Sequence, residues 1–531
     1  MSEAIDSGDT AWVLVCAAMV LFMVPGLAFF YAGLVRRSNV LVIMQQNIVP
    51  LAVVSITWVL VGFSLAFGPD TWSGLVGDLS LFGLNGVEGA PAPALHVVDP
   101  DVAIPTLAFV VFQMMFAIIT PALLTGATVG RLRPLGWVVV LVFWSILVYP
   151  VIAHWLFDPD GWLAQLGAQD WAGGIVVHAA AGAAALAVLA VVGRRSGWPT
   201  TRSIPHSIPL AVVGGGILWF GWFGFNAGGA LQANEVAAQA LLNTQVAAAG
   251  GMAAWLVCEV IRTKRATVIG GITGAVAGLA TITPAAGYVN TLAALAIGII
   301  AGIVCTLALK LKTFFRFDDA LDVIAVHFVG GILGSLLLGL FGSAAINSAG
   351  RDGLFSGGGW GLLGDQALAL VVVIAYAFVV TWIIAMLTQV TVGLRASSDP
   401  ARDADQEEQG SDAYHLAAVL TRDRQGGESS GRHAGPPIGA DGQTITAVIE
   451  VLDAEALRAE LFAAGAQSIV LDEVTVAAGN GRRVSVREQS ADVGFVRASR
   501  VEVQVPASAV VAVQAVLSRG ALSGPTTRTD G

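Results

Sequence analysis

The chain has 531 residues, 56% hydrophobic and only 12% charged, with a mean hydropathy of +0.76. A soluble domain carries about 25% charge, so this composition describes an integral membrane protein. The net charge of −10 says little about partners, because the charges segregate by side of the membrane.

The first charged residues are acidic and no cleavable signal peptide is evident, so residues 10–35 read as a retained first helix. Apolar stretches of the roughly 20 residues needed to cross a bilayer fall near 11–35, 44–67, 102–128, 135–157, 171–192, 206–227, 239–261, 267–284, 289–309, 321–345 and 365–392. That makes eleven, which places the termini on opposite sides. Arg262, Lys264 and Arg265 argue against merging the seventh and eighth. Connections after odd-numbered spans hold Arg36, Arg37, Arg131, Arg133, Arg194, Arg195, Arg202, Lys310, Lys312 and Arg316, and Arg395 follows the last span. The other side has Arg351 alone, among acids such as Asp70, Asp78, Glu88, Asp99, Asp101, Asp158 and Asp160. The positive-inside rule then puts the N-terminus outside and the tail in the cytoplasm. Cys16, Cys258 and Cys305 lie in or at the ends of apolar spans and are too sparse for a disulfide framework or a metal cluster.

The fifth and tenth spans each carry a histidine, His178 in WAGGIVVHAAAG and His327 in LDVIAVHFVGGI. An intramembrane imidazole is costly to bury and marks a path for a proton or a small polar species. They close two successive groups of five helices, the inverted 5+5 arrangement that places equivalent sites near the bilayer midplane. Each has an acid upstream, Asp170 and Asp322, placed to cap free N–H groups at its helix start. A zinc site lacks further ligands, and a haem would need a large pocket among packed small residues. In the sixth span, LWFGWFGFNAGG groups Trp219, Phe220, Trp222, Phe223 and Phe225 with Asn226; in the third, Phe116 follows Gln113 by one turn. Such rings are common in lipid-facing belts. Here they reach a helix end together with Asn226, where aromatic faces attract a cation and exclude hydrated ions by size.

The motifs DWAGGIVVHAAAG, GWFGFNAGG, FFRFDDALDVIAVHFVGGI and TVGLR, in this order, resemble those of the ammonium transporter family, the Amt branch of the Amt/Mep/Rh superfamily, from about residue 8 to 396. The resemblance implies that His178 and His327 are a twin-histidine pair bridged to each other in the lumen. It implies that Phe116 and Phe225 gate the pore, with Trp222 lining the lumen and Gln113 beside the gate. Asp170 then supports an external recruitment site without touching substrate, and Asp322 opens the tenth helix. Two positions depart from the pattern: Gly229 stands where the family often has serine, and Phe157 where it has a recruiting tryptophan, with Trp155 or Trp162 as substitutes. The implied function is ammonium transport in a bacterial cytoplasmic membrane by a homotrimer with one pore per subunit, surrounded by lipid. An ion sheds its water at an outer aromatic vestibule, passes the histidines as ammonia, and its proton is handled separately. The alternative is a transceptor that reports ammonium through its tail. No paired nucleophile and base marks an enzyme, and no cofactor, metal or nucleic acid is called for.

Residues 397–442 read as a cytoplasmic tail and linker, in which 420–442 are rich in Gly, Arg, Asp, Ser and Pro. The family's tail packs under neighbouring subunits, which implies such a contact for Arg395; a positive charge snorkelling at the inner interface is the plainer alternative. His415 and His433 read as solvated. From residue 443 to 520 the β-α-β-β-α order of periodicities predicts a small ferredoxin-like domain. TAVI, EALRAEL, AGAQSIVLDEV and SRVEVQVP resemble the P-II signal-transduction family in part, with a shortened loop and without its later nucleotide-binding segment. A small-molecule or nucleotide effector would meet Gly479, Arg482 and Arg483, unless these form a solvated turn.

Overall fold

The computed structural model describes residues 5–89, 102–200, 204–396, 404–414, 442–449, 454–464, 466, 468–486, 489–518 and 521–529. Asp99, Asp101, Arg202, His415, His433 and residues 420–441 of the expected linker lie outside the described residues. The chain divides into two compact units, one ending at His415 and one beginning at Leu416.

The first unit is helical. In chain order its long elements are α1 (Ser7–Leu34), α2 (Arg37–Phe67), α3 (Thr106–Leu124), α4 (Pro134–Leu166, interrupted at 158–161), α5 (Gly174–Val192), α6 (Ile208–Ala230), α7 (Glu235–Thr263), α8 (Val268–Ile282), α9 (Thr291–Phe314), α10 (Ile324–Phe341) and α11 (Gly361–Thr391). Among the described residues ten of these are long and apolar enough to cross a membrane. The exception is α8, with 15 residues. Helices α7 and α8 are separate: Lys264 ends the first in a left-handed conformation, φ 61°, and the Thr267 side chain accepts the Gly270 N–H to start the second. A two-stranded hairpin, β1 (Asp70–Thr71) and β2 (Val76–Gly77), follows α2.

Small residues allow the helices to touch backbone to backbone, the mode of packing that replaces the hydrophobic effect inside a bilayer. A Cβ on Gly214 of α6 would stand 2.1 Å from the Phe30 nitrogen of α1. One on Gly331 of α10 would stand 2.5 Å from the Gly174 carbonyl of α5 and 2.9 Å from the His178 Cβ. That second contact brings the two histidine-bearing helices together.

The polar tail is not wholly loose from this unit. A short helix, α12 (Ala404–Gln409), carries Asp405, whose two carboxylate oxygens accept the Leu41 and Val42 N–H groups, each at 2.9 Å. Tyr414 follows; its carbonyl accepts from Arg37 at 2.9 Å and its hydroxyl lies 3.0 Å from His206 Nε2. Arg395 is held within its own chain, its N–H on the Gln389 side chain at 2.8 Å and its guanidinium on the Arg194 carbonyl at 3.4 Å.

The second unit runs β3 (Gly442–Ile449), α13 (Ala454–Ala463), β4 (Ser468–Val486), β5 (Gln489–Pro506), α14 (Val510–Ser518), β6 (Ala521–Thr529). Its sheet has the order β4-β5-β3-β6 with every neighbouring pair antiparallel. Ile445, Leu461, Val503, Val513 and Leu517 form its core. The strand β6 lies beyond the boundary expected at residue 520; its stretch ALSGPTTRT has too weak an alternation to stand out. The shortened loop is the far end of the β4–β5 hairpin. Arg482 and Arg483 pair with Val493 and Asp492 there, and Gly479 falls where the register slips between Ala477 and Arg482.

Candidate functional site: a buried histidine pair between two capped helix starts

Helix α5 begins at a sharp turn. Gly173 takes φ 104°, a region open to glycine at little cost, and the chain folds back over the preceding carboxylate. Asp170 Oδ1 accepts the N–H groups of Gly173 at 3.1 Å and Gly174 at 2.6 Å, and Oδ2 those of Ile175 at 2.8 Å and Val176 at 2.9 Å. One side chain therefore satisfies four donors that a helix start leaves orphaned, with its charge at the positive end of the helix dipole. Burial still pushes its carboxyl up to about 6 against those four bonds.

Helix α10 repeats this design, with a correction to the sequence reading. The acid that caps it is Asp319, whose Oδ2 accepts the Ile324 N–H at 2.7 Å. Asp322, the expected partner, sits in a left-handed conformation at φ 64°. There it meets Lys312, whose Nζ donates to its Oδ1 at 2.5 Å. The signal for Asp319 was present: it precedes His327 by eight residues, as Asp170 precedes His178. Each histidine also lies in a π-helical turn, Gly174–Ala179 and Ile324–Phe328, a distortion common at functional sites.

These two helix starts hold a column of rings. Phe116 of α3 stacks on Phe225 of α6 at 4.2 Å between centroids and 23° between planes. Phe225 lies 6.1 Å from His178, which stacks on Trp222 at 5.4 Å and on His327 at 5.3 Å and 24°. Trp222 is fixed by its indole N–H, which donates to Thr283 Oγ1 at 2.9 Å. The histidines are 1% and 5% exposed. They border a cavity whose other walls are Met23, Leu27, Ile119, Leu123, Val177, Leu218, Trp222 and Phe225. Its free space of about 10 Å³ is close to the least that admits one water-sized molecule.

No hydrogen bond joins the two histidines among the described residues: both ring nitrogens of His178, and Nδ1 of His327, have no partner there, and the rings lie near-parallel with centroids 5.3 Å apart. An unmet buried polar atom costs about 1–3 kcal/mol, and such atoms collect where a ligand is to be met.

The residues expected at the outer approach divide. Gly229 lies in the short turn Gly228–Ala230 at the end of α6, and a Cβ there would stand 3.1 Å from the Nε1 of Trp171. Trp171, which sequence reasoning passed over beside Asp170, donates that N–H to the Asn226 carbonyl at 2.7 Å. Gln113 stays half-buried with its Oε1 unpartnered. Phe157 is half-buried at the end of a helical stretch, Tyr149–Phe157, and makes no ring contact with Phe116 or Phe225 among the described residues. Trp155 is committed elsewhere, donating to the Leu75 carbonyl at 2.8 Å and packing on Trp162 and Tyr376. His154 next to it grips the hairpin, its Nε2 3.1 Å from Asp70 Oδ1. Trp155 thus braces the β1–β2 loop with its side chain, and Trp162 meets it only through its backbone N–H on the Gly74 carbonyl at 3.2 Å.

A family model described as Ammonium Transporter Family matches residues 11–415. A protein of Mycobacterium bovis called "Ammonium transporter" is 44% identical over 429 residues, covering 77% of this chain and 88% of its own. Among solved structures, Saccharomyces cerevisiae Mep2 superposes with a TM-score of 0.70 at 34% identity, over 76% of this chain and 90% of that one. A structure titled "Sensor Amt Protein" does so with 0.66 at 31%, over 74% and 95%. With the family match spanning well over half its length and relatives this similar, the chain belongs to the ammonium transporter family.

Proposed function

We propose that this protein carries ammonium across a bacterial cytoplasmic membrane, stripping the ion at an outer aromatic vestibule and passing it as ammonia beside His178 and His327 while its proton moves separately. The observation that carries this reading is the column Phe116, Phe225, His178, His327, of which the last three border a narrow, mostly apolar cavity. A bare ammonium ion there would lose its hydration without gaining a counter-charge, at a cost of many kcal/mol. Ammonia loses far less, and an imidazole with unpartnered nitrogens both donates to it and accepts from it. Asp170 acts on the outer side as a fixed negative charge whose oxygens are already saturated by backbone, so it attracts the cation without binding it. Trp222 lines the path; Gln113, Gly229 and Phe157 belong to its outer approach, and Asp322 steadies the far helix start through Lys312.

In this reading α8 also crosses, bringing the spans to eleven. The two groups of five helices are inverted repeats, the N-terminus lies outside and the tail inside, and three copies assemble with a pore in each. The arginine-rich connections and the mirrored starts of α5 and α10 support it. The β-α-β-β-α-β order and antiparallel sheet of the second unit support a ferredoxin-like, P-II-like regulatory module, with a nucleotide or other small effector at its β4–β5 hairpin. That separate unit, and the likeness to a structure titled as a sensor, favour the second reading, a transceptor.

The test is purified protein in proteoliposomes, with ammonium-driven current and methylammonium uptake compared against empty vesicles. Both are expected well above the empty vesicles. Negligible flux, with a large ammonium-dependent movement of a label on the tail, would replace transport by sensing.

A further inference from the structure

The two mirrored acids differ in one respect. Asp170 uses both oxygens on four backbone donors. Asp319 uses Oδ2 on Ile324 and also feels the Val323 N–H; its Oδ1, in a side chain of a residue only 2% exposed, makes no well-aligned hydrogen bond among the described residues. Among the described residues Asp319 makes no direct ion pair, and Lys312 and Arg131 act on it only from a distance. Beside it, Asp318 is held by Arg195 through two bonds of 2.6 and 2.9 Å and by Arg131 at 3.4 Å, while Asp322 is held by Lys312. A buried carboxylate oxygen left open is expensive, and the neighbouring cations are already engaged by the other two acids.

We infer that Asp319 Oδ1 is the proton-accepting group at the far end of the path from Asp170, taking the proton that has passed the histidines and releasing it on the tail side. This rests on the transport reading above. In the step, a proton leaves an imidazolium or a protonated water near His327, an O–H bond forms at Asp319 Oδ1, and that bond breaks again as the proton passes to water; no electron is transferred. Oδ2 stays on the Ile324 N–H throughout, so the helix start keeps its cap while the other oxygen cycles. The charged groups that tune the site are Asp322, Lys312 and Arg131. Burial first, and then the Asp322 carboxylate, push Asp319 above the usual carboxylate range, the direction that favours taking up a proton.

The test uses the full chain in proteoliposomes. Asp319→Asn keeps an oxygen for Ile324 but cannot be protonated. Its ammonium-driven current is expected to fall roughly a hundredfold, on the scale of removing a positioned proton-transfer group, while ammonia permeation read by an internal pH dye stays at the wild-type level. Asp319→Glu is expected to recover part of the current. Equal currents in wild type and Asp319→Asn would overturn the assignment. Should neither variant fold, infrared difference spectra of the wild type during ammonium flux decide: a protonated-carboxyl band is expected, and its absence overturns the assignment. A wild type that carried no ammonium would remove the transport reading, and this assignment with it.

Discussion

Asp170 and Asp319 each stand eight residues before a buried histidine, and each accepts the N–H five positions on, at 2.8 and 2.7 Å. This equivalence ties the two histidine helices to one local design: acid, turn, π-helical start, imidazole. It also makes the acids structural before they are anything else. Asp170→Ala strands four helix-start donors and is expected to cost about 2–4 kcal/mol. The check is thermal unfolding in detergent, with Asp170→Asn losing less because an amide oxygen still accepts.

The Asp318 cluster sets an acid limit on stability. Burial alone would raise this carboxyl, but Arg195 and Arg131 outweigh it and hold it below the usual range. A depressed carboxyl contributes stability that is present above its unfolded value and lost as the pH falls through its folded value. Asp318→Asn breaks a buried pair and is expected to cost about 3–5 kcal/mol near neutrality. In a pH series the gap between variant and wild type should shrink only once the pH drops below about 4. A gap that did not change with acid would show that the pairing contributes nothing.

In the proposed reading, the stacked pair Phe116 and Phe225 acts as a gate by exclusion. Phe225→Ala removes the ring that lies between Phe116 and His178 and leaves space for partly hydrated ions. Potassium currents are expected to be negligible in the wild type and measurable in the variant, while ammonium currents persist. Unchanged selectivity would place the barrier elsewhere.

At the proposed outer approach, Gly229→Ser supplies a hydroxyl beside the Trp171 indole. The new Cβ would meet Nε1 at 3.1 Å and the Trp171 carbonyl at 3.3 Å, contacts that a small shift of the short turn relieves. One added hydrogen bond of about 1 kcal/mol corresponds to a half-saturating ammonium concentration about fivefold lower. Flux titrations with ammonium and methylammonium read this directly. An unchanged value would mean that recruitment does not use this position.

Much of the frame was legible because bilayers demand long apolar runs and impose a charge asymmetry on loops, and because an imidazole in such a run has no ordinary reason to be there. The order of the apolar helices and the meeting of His178 with His327 follow from those rules; the helix bounds do not, since α2 runs Arg37–Phe67 against an expected 44–67 and α3 runs Thr106–Leu124 against 102–128. Which acid faces which partner does not. Asp319 and Asp322 are both plausible caps by type, and a left-handed turn at Asp322, stabilised by Lys312 ten residues earlier, decides between them. The same holds for Trp155: its sequence neighbourhood is aromatic and outer, but the Leu75 carbonyl, distant in the chain, takes its N–H. The docking of Asp405 on the start of α2 was hidden for a similar reason, since an acidic stretch with no apolar face gives no periodic signal.

The central claim, that the buried histidine pair makes the path selective for a deprotonated passenger, is tested most directly by paired current and flux measurements in proteoliposomes on a variant with both His178 and His327 replaced by leucine. The expected result is folded protein whose ammonium-driven current is abolished. Electrogenic ammonium uptake that survived this replacement, with preference over potassium intact, would contradict the account.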